Sequence, residues 1–247
     1  NQLPDVMNLN TNFLKKLGAL GALVDMDTAA ADVKDHYFPG IWKAGEVNGV
    51  TYALPWYITN SLMIYNKDLL AKAGFDGPPT TMEESWEMSR VLYNKLGVYG
   101  NIITSIHLQL PKEGVYLVSP DGKSAAINTP KALEMFRNYK KYYDEGLIPD
   151  ELLLGQAKGI EWYAQERIAW FVTGPQLFRQ VLDMAPDVYH KSSAAFDILG
   201  SEEVVNVAVM NIAVASTSKN QDAAVKFAKF MTNAENQLAF SKLTAIL

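Results

Sequence analysis

Apolar residues along this chain are spaced in two ways, one typical of β-strands and the other of α-helices. Residues 5–9 predict a strand, and a helix at about residues 11–22 is predicted to follow it. In that helix Leu14, Leu17 and Leu20 recur at helical spacing and form one apolar face. Strand-like and helix-like segments continue to alternate along the chain, and this alternation predicts an α/β fold.

Turn and capping residues indicate where several of these elements begin and end. The Asn48-Gly49 pair lies between β-forming residues and predicts a tight hairpin. Asn66 is predicted to cap a short helix, because its side-chain oxygen can accept hydrogen bonds from the first backbone N–H groups. Thr81 and Glu84 have the spacing of a capping box, which predicts a helix that ends at Leu96.

Further helices are predicted in the second half of the chain, including one that starts within residues 160–164 and one capped by Asn233, and three others have clear signals at their starts. Thr129-Pro130 begins the first, Gly174-Pro175 precedes the second at about residues 176–184, and Asn220 is expected to cap the third. The residues predicted to face inward from the first are Leu133, Phe136, Tyr139 and Tyr143. Those predicted to face inward from the third are Ala224, Phe227, Ala228 and Met231.

Composition and charge exclude several classes of function. The chain has 247 residues, with 22 Lys and Arg against 27 Asp and Glu, and a formal net charge of −5. Because nucleic acid requires a basic surface and no block of Lys or Arg is present, no nucleic-acid partner is predicted. The absence of cysteine excludes disulfides and thiolate chemistry. No apolar run reaches the ~18 residues of a membrane-spanning helix.

The sequence contains no recognisable catalytic or cofactor-binding motif. The Gly-x-Ser-x-Gly, His-Glu-x-x-His, Walker and dinucleotide-binding signatures are all absent. The three histidines, His36, His107 and His190, lie far apart and do not have the spacing of metal ligands. We therefore predict no metal site, no cofactor and no enzymatic activity.

Aromatic and small polar residues occur at the predicted junctions between strands and loops. Trp and Tyr rings offer a flat apolar face with a polar group, which suits a ligand that has an apolar face and a rim of hydroxyls. Short neutral side chains at the same junctions can hydrogen-bond hydroxyl groups. Core packing of the aromatics, and capping or turn roles for the polar residues, are the alternatives. The candidate ligand-binding residues are Asn10, Thr11, Asn12, Trp56, Tyr57, Thr59, Asn60, Trp162, Gln176 and Asn211.

Six motifs follow one another in the order found in a known protein family. They are Pro4-Asp5-Val6, residues 21–27, residues 48–55 (Asn-Gly-Val-Thr-Tyr-Ala-Leu-Pro), Tyr65-Asn66-Lys67-Asp68-Leu69 with residues 78–84, residues 163–175 and residues 217–227. Each motif alone is common, but six in order extend over nearly the whole chain. Together they resemble the extracellular solute-binding proteins of ABC importers, in the family that includes the maltose/maltodextrin-binding proteins.

The resemblance implies two α/β lobes joined by hinge strands, with an uncharged solute, a sugar or oligosaccharide, bound in the cleft between them. Lobe 1 is then expected to comprise residues 1–62 and 208–247, and lobe 2 residues 63–207. The implied protein is a monomer that works with a membrane permease in the periplasm or another extracytoplasmic location, with a lipid anchor on the full-length precursor as one option. Some terminal segments of the family have no counterpart here, so the fold is expected to be incomplete at both ends.

Two other functions stay open at this point. A glycan-acting enzyme would need two carboxylates facing one bond, and the segments expected to line the cleft offer only Glu161 and Glu166. A fragment that folds without binding a solute is the second alternative. One departure from the family concerns the ligand: Gln176 stands where the family has a tryptophan, so ring stacking is not supported there.

Overall fold

The chain forms two compact units, each containing helices packed on a small sheet. The computed structural model describes residues 4–100, 106–151, 156–205 and 207–244. Unit 1 comprises Asn1–Thr59 and Val207–Leu247, and unit 2 comprises Asn60–Asn206. The predicted α/β class is confirmed. The lobe boundaries predicted from the sequence, after residues 62 and 207, stay a prediction.

Unit 1 begins with a strand, three helices and a hairpin. Apart from two short 3₁₀ turns, the elements are β1 (Val6–Asn10), α1 (Thr11–Ala19), α2 (Met26–Ala29), α3 (Pro39–Trp42), β2 (Glu46–Val47), β3 (Val50–Thr51) and β4 (Ala53–Asn60). The last residue of β4, Asn60, already belongs to unit 2. Asn48 and Gly49 have positive φ angles of 52° and 86°, as a two-residue hairpin turn requires, and this confirms the predicted hairpin. Because α1 ends at Ala19, Leu20 lies beyond the helix and is exposed instead of completing its apolar face.

Unit 2 is one continuous stretch of chain built on a three-stranded antiparallel sheet. Its elements are β5 (Leu62–Asn66), α4 (Lys67–Ala73), α5 (Met82–Leu96), α6 (Ile106–Gln109), α7 (Pro130–Asp144), α8 (Gln156–Ala164), β6 (Trp170–Thr173), α9 (Gln176–Met184), α10 (Pro186–Lys191) and β7 (Ser192–Phe196). The strand order is β6-β5-β7. The Asn66 side chain accepts hydrogen bonds from the backbone N–H groups of Asp68 and Leu69, which confirms the predicted cap of α4.

The start of α5 follows the predicted capping box only in part. The Thr81 hydroxyl accepts a hydrogen bond from the Glu84 N–H at 3.1 Å, as expected. The Glu84 carboxylate, however, accepts from the N–H of Thr80 at 2.7 Å, one residue earlier than the capping box requires. The other end of the helix agrees with the sequence, because α5 ends at Leu96 and Gly97 adopts a positive φ of 66°.

The buried face of α7 is offset by one residue from the predicted face. Three of the four residues expected to face inward are exposed: Leu133, Phe136 and Tyr143. Ala132 is buried instead, and the rings of Tyr139 and Tyr142 lie against Trp86 of α5. The rings of Tyr142 and Trp86 stack with their centroids 4.0 Å apart. Packing between α5 and α7 therefore decides which side of α7 is covered.

The chain returns to unit 1 through a strand that completes its sheet. The remaining elements are β8 (Val207–Val214), α11 (Gln221–Met231) and α12 (Ala234–Thr244). The strand order is β1-β8-β4, so β8 is the central strand. It pairs antiparallel with β1 from Val6 opposite Val214 to Asn10 opposite Met210. This register brings the start of α1 beside the first half of β8.

Helix α11 covers the sheet of unit 1 with small side chains. Ala224 and Ala228 are buried as predicted, whereas Phe227, also expected to face inward, is exposed. Asn220 stands at the N-cap position, but its side chain makes no capping hydrogen bond, so that prediction is wrong. Asn233 does cap the next helix, since its side-chain oxygen accepts from the Asn236 N–H.

Each unit has its own hydrophobic core. The core of unit 1 includes Trp42 and Leu54, and the core of unit 2 is built around Tyr163 and Trp170. In the part of the chain that the structure describes, none of the helices combines the length and the apolar character needed to cross a membrane.

Candidate functional site

Three of the predicted site residues lie where β1 passes into α1 in unit 1. The Asn10 side chain accepts a hydrogen bond from the Phe13 N–H at 2.9 Å and so caps α1. The Thr11 hydroxyl donates to the Val209 carbonyl of β8 at 3.3 Å. Asn12 is exposed on the first turn of α1. Asn10 is exposed like Asn12 and Thr11 is half-buried, but the side chains of Asn10 and Thr11 have structural hydrogen bonds of their own.

Trp56 and Tyr57 of β4 form an aromatic cluster with Phe240 of α12. The ring centroids of Trp56 and Phe240 are 4.8 Å apart, and those of Tyr57 and Phe240 are 5.5 Å apart with near-parallel planes. Both β4 rings are half-buried, and Trp56 also packs against the core of unit 1. No sequence signal pointed to Phe240, because α12 lacks a distinct apolar face. Thr59, further along β4, is half-buried.

Asn211 is a fully buried polar residue in β8. Its Nδ2 donates to the Val209 carbonyl at 3.2 Å, while its Oδ1 has no hydrogen-bond partner. Leaving a buried acceptor unpaired costs about 1–3 kcal/mol, and such groups are rare in folded proteins unless they have a function. Asn211 therefore stays a predicted ligand-binding residue of unit 1.

Asn60 and Gln176 lie near the same end of the sheet in unit 2. Asn60 comes two residues before the start of β5 at Leu62, and Leu62 pairs with Thr173, the last residue of β6. Gln176 begins α9 directly after β6. The register and the chain connectivity thus place Thr173 near both predicted residues, two positions from Asn60 along the paired strand and three residues before Gln176. The sequence did not indicate Thr173, because a threonine that ends an apolar strand is typical of β-structure.

Trp162 is contradicted as a residue that stacks on a ligand. Its side chain is only 2% exposed and belongs to the core of unit 2. The guanidinium carbon of Arg167 lies 3.3 Å from the centre of its ring, and the ring centroid of Tyr99 is 5.8 Å away. The reason is that α8 turns Trp162 and Tyr163 toward the sheet, so the flat face expected at a loop junction is covered.

The two candidate catalytic carboxylates are held as ion pairs. Lys158 hydrogen-bonds Glu161 at 3.1 Å and lowers the pKa of that carboxyl. Burial alone would raise the pKa of Glu166, but hydrogen bonds from Lys191 and Asn66 outweigh it and lower the pKa. A general acid in glycoside hydrolysis needs a raised pKa instead. Neither carboxylate is therefore prepared for that role.

No side-chain cluster in the described residues suits a metal ion. Across 4–100, 106–151, 156–205 and 207–244, the structure brings together no group of three or more His, Asp or Glu side chains that could hold one. Apart from the Lys112–Asp197 ion pair of unit 2, the buried polar side chains of the described residues are neutral amides and hydroxyls.

Comparison with known proteins identifies the family. The profile of the bacterial extracellular solute-binding proteins matches residues 1–247. The chain belongs to this family. The resemblance carried by the six sequence motifs is therefore confirmed.

A characterised relative covers most of this chain but is longer. The diacetylchitobiose binding protein DasA of Streptomyces coelicolor is 24% identical over 262 residues, and the alignment covers 99% of this chain and 60% of DasA. This chain of the solute-binding family thus spans well under two thirds of that relative.

Solved structures of the same fold confirm the two-lobed periplasmic binding protein class. A candidate oligosaccharide periplasmic-binding protein from Synechococcus sp. MITs9220 matches with a TM-score of 0.91 and 32% identity, covering 99% of this chain and 63% of that chain. The GacH receptor of Streptomyces glaucescens GLA.O, solved unliganded and with acarbose, matches with a TM-score of 0.86 at 24% identity, covering 100% of this chain and 66% of that chain. The second likeness concerns the fold alone.

Proposed function

We propose that this protein is the solute-binding component of an ABC importer and that it binds an uncharged saccharide without altering it. The observation that carries the proposal is the match of residues 1–247 to the bacterial extracellular solute-binding family. Relatives that bind diacetylchitobiose or carry an oligosaccharide description support a saccharide ligand. In this role the protein acts as a monomer outside the cytoplasmic membrane and delivers its solute to a membrane permease.

The chemistry of the predicted binding residues supports an uncharged ligand. Asn12, Asn211 and Gln176 offer amides, and the other candidates are likewise neutral. A carboxylate or phosphate would be expected to recruit arginine, which binds both in a bidentate manner. Of the arginines near these segments, Arg167 packs on a tryptophan ring, and Arg179 is exposed and lies 3.5 Å from an aspartate of the same helix.

A glycan-acting enzyme receives no support from the described residues. Glu161 and Glu166 both have lowered pKa values and engage lysines, so neither is ready to donate a proton to a glycosidic oxygen. Binding without chemistry therefore remains the function that the arrangement supports best.

Isothermal titration calorimetry of the full-length protein tests the proposal. The panel contains maltose and diacetylchitobiose as neutral saccharides, with glutamate and glucose 6-phosphate as charged solutes. We expect saturable heat with at least one neutral saccharide and recovery of that saccharide unchanged by chromatography. Binding of the charged solutes alone, hydrolysis of a saccharide, or no heat with any of the four would contradict the proposal.

A pair of asparagine variants tests the contribution of unit 1. Asn12→Ala removes an exposed amide from a predicted binding position, and we expect about 5-fold weaker saccharide binding because one neutral hydrogen bond is worth ~1 kcal/mol. Asn8→Ala, a matched change at an exposed asparagine of β1, should leave the affinity unchanged. If both variants bind the saccharide with the same affinity, Asn12 is not part of the binding site.

A further inference from the structure

Buried polar atoms without hydrogen-bond partners are concentrated in unit 2. Among the described residues, three of them are Asn60 Oδ1, Thr173 Oγ1 and Gln176 Oε1. Folded proteins pair nearly all of their buried polar groups, because an unpaired one loses its bonds to water and gains nothing in return. Three such atoms in one part of a unit therefore need an explanation.

The three residues lie near the same end of the sheet of unit 2. Thr173 is the last residue of β6 and pairs with Leu62, the first residue of β5, while Asn60 lies two residues before Leu62. Gln176 follows Thr173 by three residues at the start of α9. Strand register and chain connectivity thus bring one hydroxyl and two amides to one sheet end, with no charge among them.

The amide of Gln176 occupies a space that only glycine leaves free. An ideal Cβ built on Gly174 would lie 2.8 Å from the Gln176 Cδ, and closer still to both polar atoms of the amide. Gly174 is next to Thr173 in the chain, so the amide rests beside the end of β6. The Gln176 Oε1 has no hydrogen-bond partner in the described residues, and rotation about the side-chain torsions moves the amide away from Gly174 without any movement of the backbone.

We propose that Thr173 determines the specificity of solute binding, and that its hydroxyl acts with the amides of Asn60 and Gln176 to bind hydroxyl groups of an uncharged saccharide. This inference rests on the proposed function. A threonine hydroxyl donates one hydrogen bond and accepts others, and an amide does both, so the set matches sugar hydroxyls, which also do both. Because Thr173 is only 4% exposed, binding requires side chains at this end of the sheet to rotate away from its hydroxyl.

The proposal separates a binding threonine from a structural one. Thr173→Val keeps the shape of the side chain and removes a hydroxyl that has no partner in the protein. Its melting temperature without ligand should therefore be unchanged or higher than that of the unsubstituted protein. A structural threonine behaves in the opposite way, because its lost hydrogen bond lowers the melting temperature.

Thr232→Val is the matched control. Thr232 is buried in unit 1, and its hydroxyl donates to the Ala228 carbonyl at 2.9 Å and lies 2.7 Å from the Tyr37 hydroxyl. We expect Thr232→Val to lower the melting temperature and to leave saccharide affinity of the folded protein unchanged. Thr173→Val should thus weaken saccharide binding without lowering the melting temperature, whereas Thr232→Val should lower the melting temperature without weakening saccharide binding.

The experiment measures melting temperature by differential scanning fluorimetry and affinity for maltose and diacetylchitobiose by calorimetry. For Thr173→Val we expect about 5- to 30-fold weaker binding of the saccharide that the unsubstituted protein binds. Unchanged affinity, or a fall in melting temperature like that of Thr232→Val, would overturn the role of Thr173 while leaving the proposed function intact. If the unsubstituted protein binds neither saccharide, the proposed function fails first and this inference fails with it.

Discussion

Lys112→Met is expected to lower the free energy of unfolding by about 3–5 kcal/mol, because it breaks a buried ion pair in unit 2. The Lys112 Nζ lies 2.6 Å from the Asp197 carboxylate and also donates to the Ile198 carbonyl at 2.7 Å. The two charged side chains are 2% and 8% exposed. Removing the ammonium leaves the carboxylate buried without a cation, and this unpaired charge accounts for most of the expected loss of stability. Urea denaturation monitored by circular dichroism measures the effect.

The double variant Lys112→Met/Asp197→Leu shows whether the loss comes from the unpaired charge. Replacing both partners with apolar residues removes the buried charge, so most of the lost stability should return. Lys131→Met is the matched control, since the exposed Lys131 lies 3.7 Å from Glu113 and such surface pairs contribute about 0–1 kcal/mol. A double variant no more stable than Lys112→Met would show that packing, and not the charge, explains the loss.

Asp27→Ala should destabilise unit 1 by about 2–4 kcal/mol, because two buried donors lose their acceptor. The Asp27 carboxylate accepts hydrogen bonds from the Thr51 N–H at 2.7 Å, from the Trp42 Nε1 at 3.1 Å and from Lys34 at 2.9 Å. Thr51 and Trp42 are both buried, so the substitution deprives two buried N–H groups of a charged acceptor. Asp35→Ala, at an exposed aspartate, is the control and should change stability by less than about 0.5 kcal/mol.

The same carboxylate makes stability depend on acid pH in a defined window. Burial alone would raise the pKa of Asp27, but the hydrogen bonds from Thr51, Lys34 and Trp42 outweigh it and lower the pKa to about 2 from an ordinary 3.8. Because the folded pKa is the lower one, the stabilisation is complete above the unfolded value and is lost as the pH falls toward about 2. Asp27→Ala should flatten the stability curve over this window; a slope equal to that of the unsubstituted protein would contradict the assignment.

Features that depend on a few neighbouring residues were predictable from the sequence. The hairpin at Asn48-Gly49 follows from the positive φ angles that these residues tolerate. The cap at Asn66 and the end of α5 at Leu96 follow equally from local hydrogen bonding and from the glycine at position 97. Each of these predictions needs no knowledge of what packs against the segment.

The covered face of α7 depends on a partner that periodicity does not specify. Two apolar stripes run along this helix, offset by one residue, and both fit a 3.6-residue repeat. The stripe with Tyr139 and Tyr142 is covered because Trp86 of α5 faces it. A hydrophobic pattern predicts that a helix has a buried face, but it does not decide which of two similar faces is buried.

The candidate site shows the same limit. Trp162 has the residue type of a sugar-stacking platform, but α8 turns it into the core of unit 2. Thr173 and Phe240 were not predicted, because a strand-ending threonine and a helical phenylalanine are ordinary residues in the sequence. Only the structure draws attention to them: the Thr173 hydroxyl has no hydrogen-bond partner, and Phe240 packs against Trp56 and Tyr57.

The central position of β8 in unit 1 has a consequence for how the chain folds during synthesis. The sheet order β1-β8-β4 leaves β1 without a neighbouring strand in the described residues until β8 is made. Unit 2 lies between them in the chain and contains all three strands of its own sheet. The ribosome thus completes unit 2 before it makes β8, and β1 pairs with β8 across a stretch of chain that contains all of that unit. Such non-local pairing is slow, so β1 is expected to reach its final structure later than the strands of unit 2, although it is made before them.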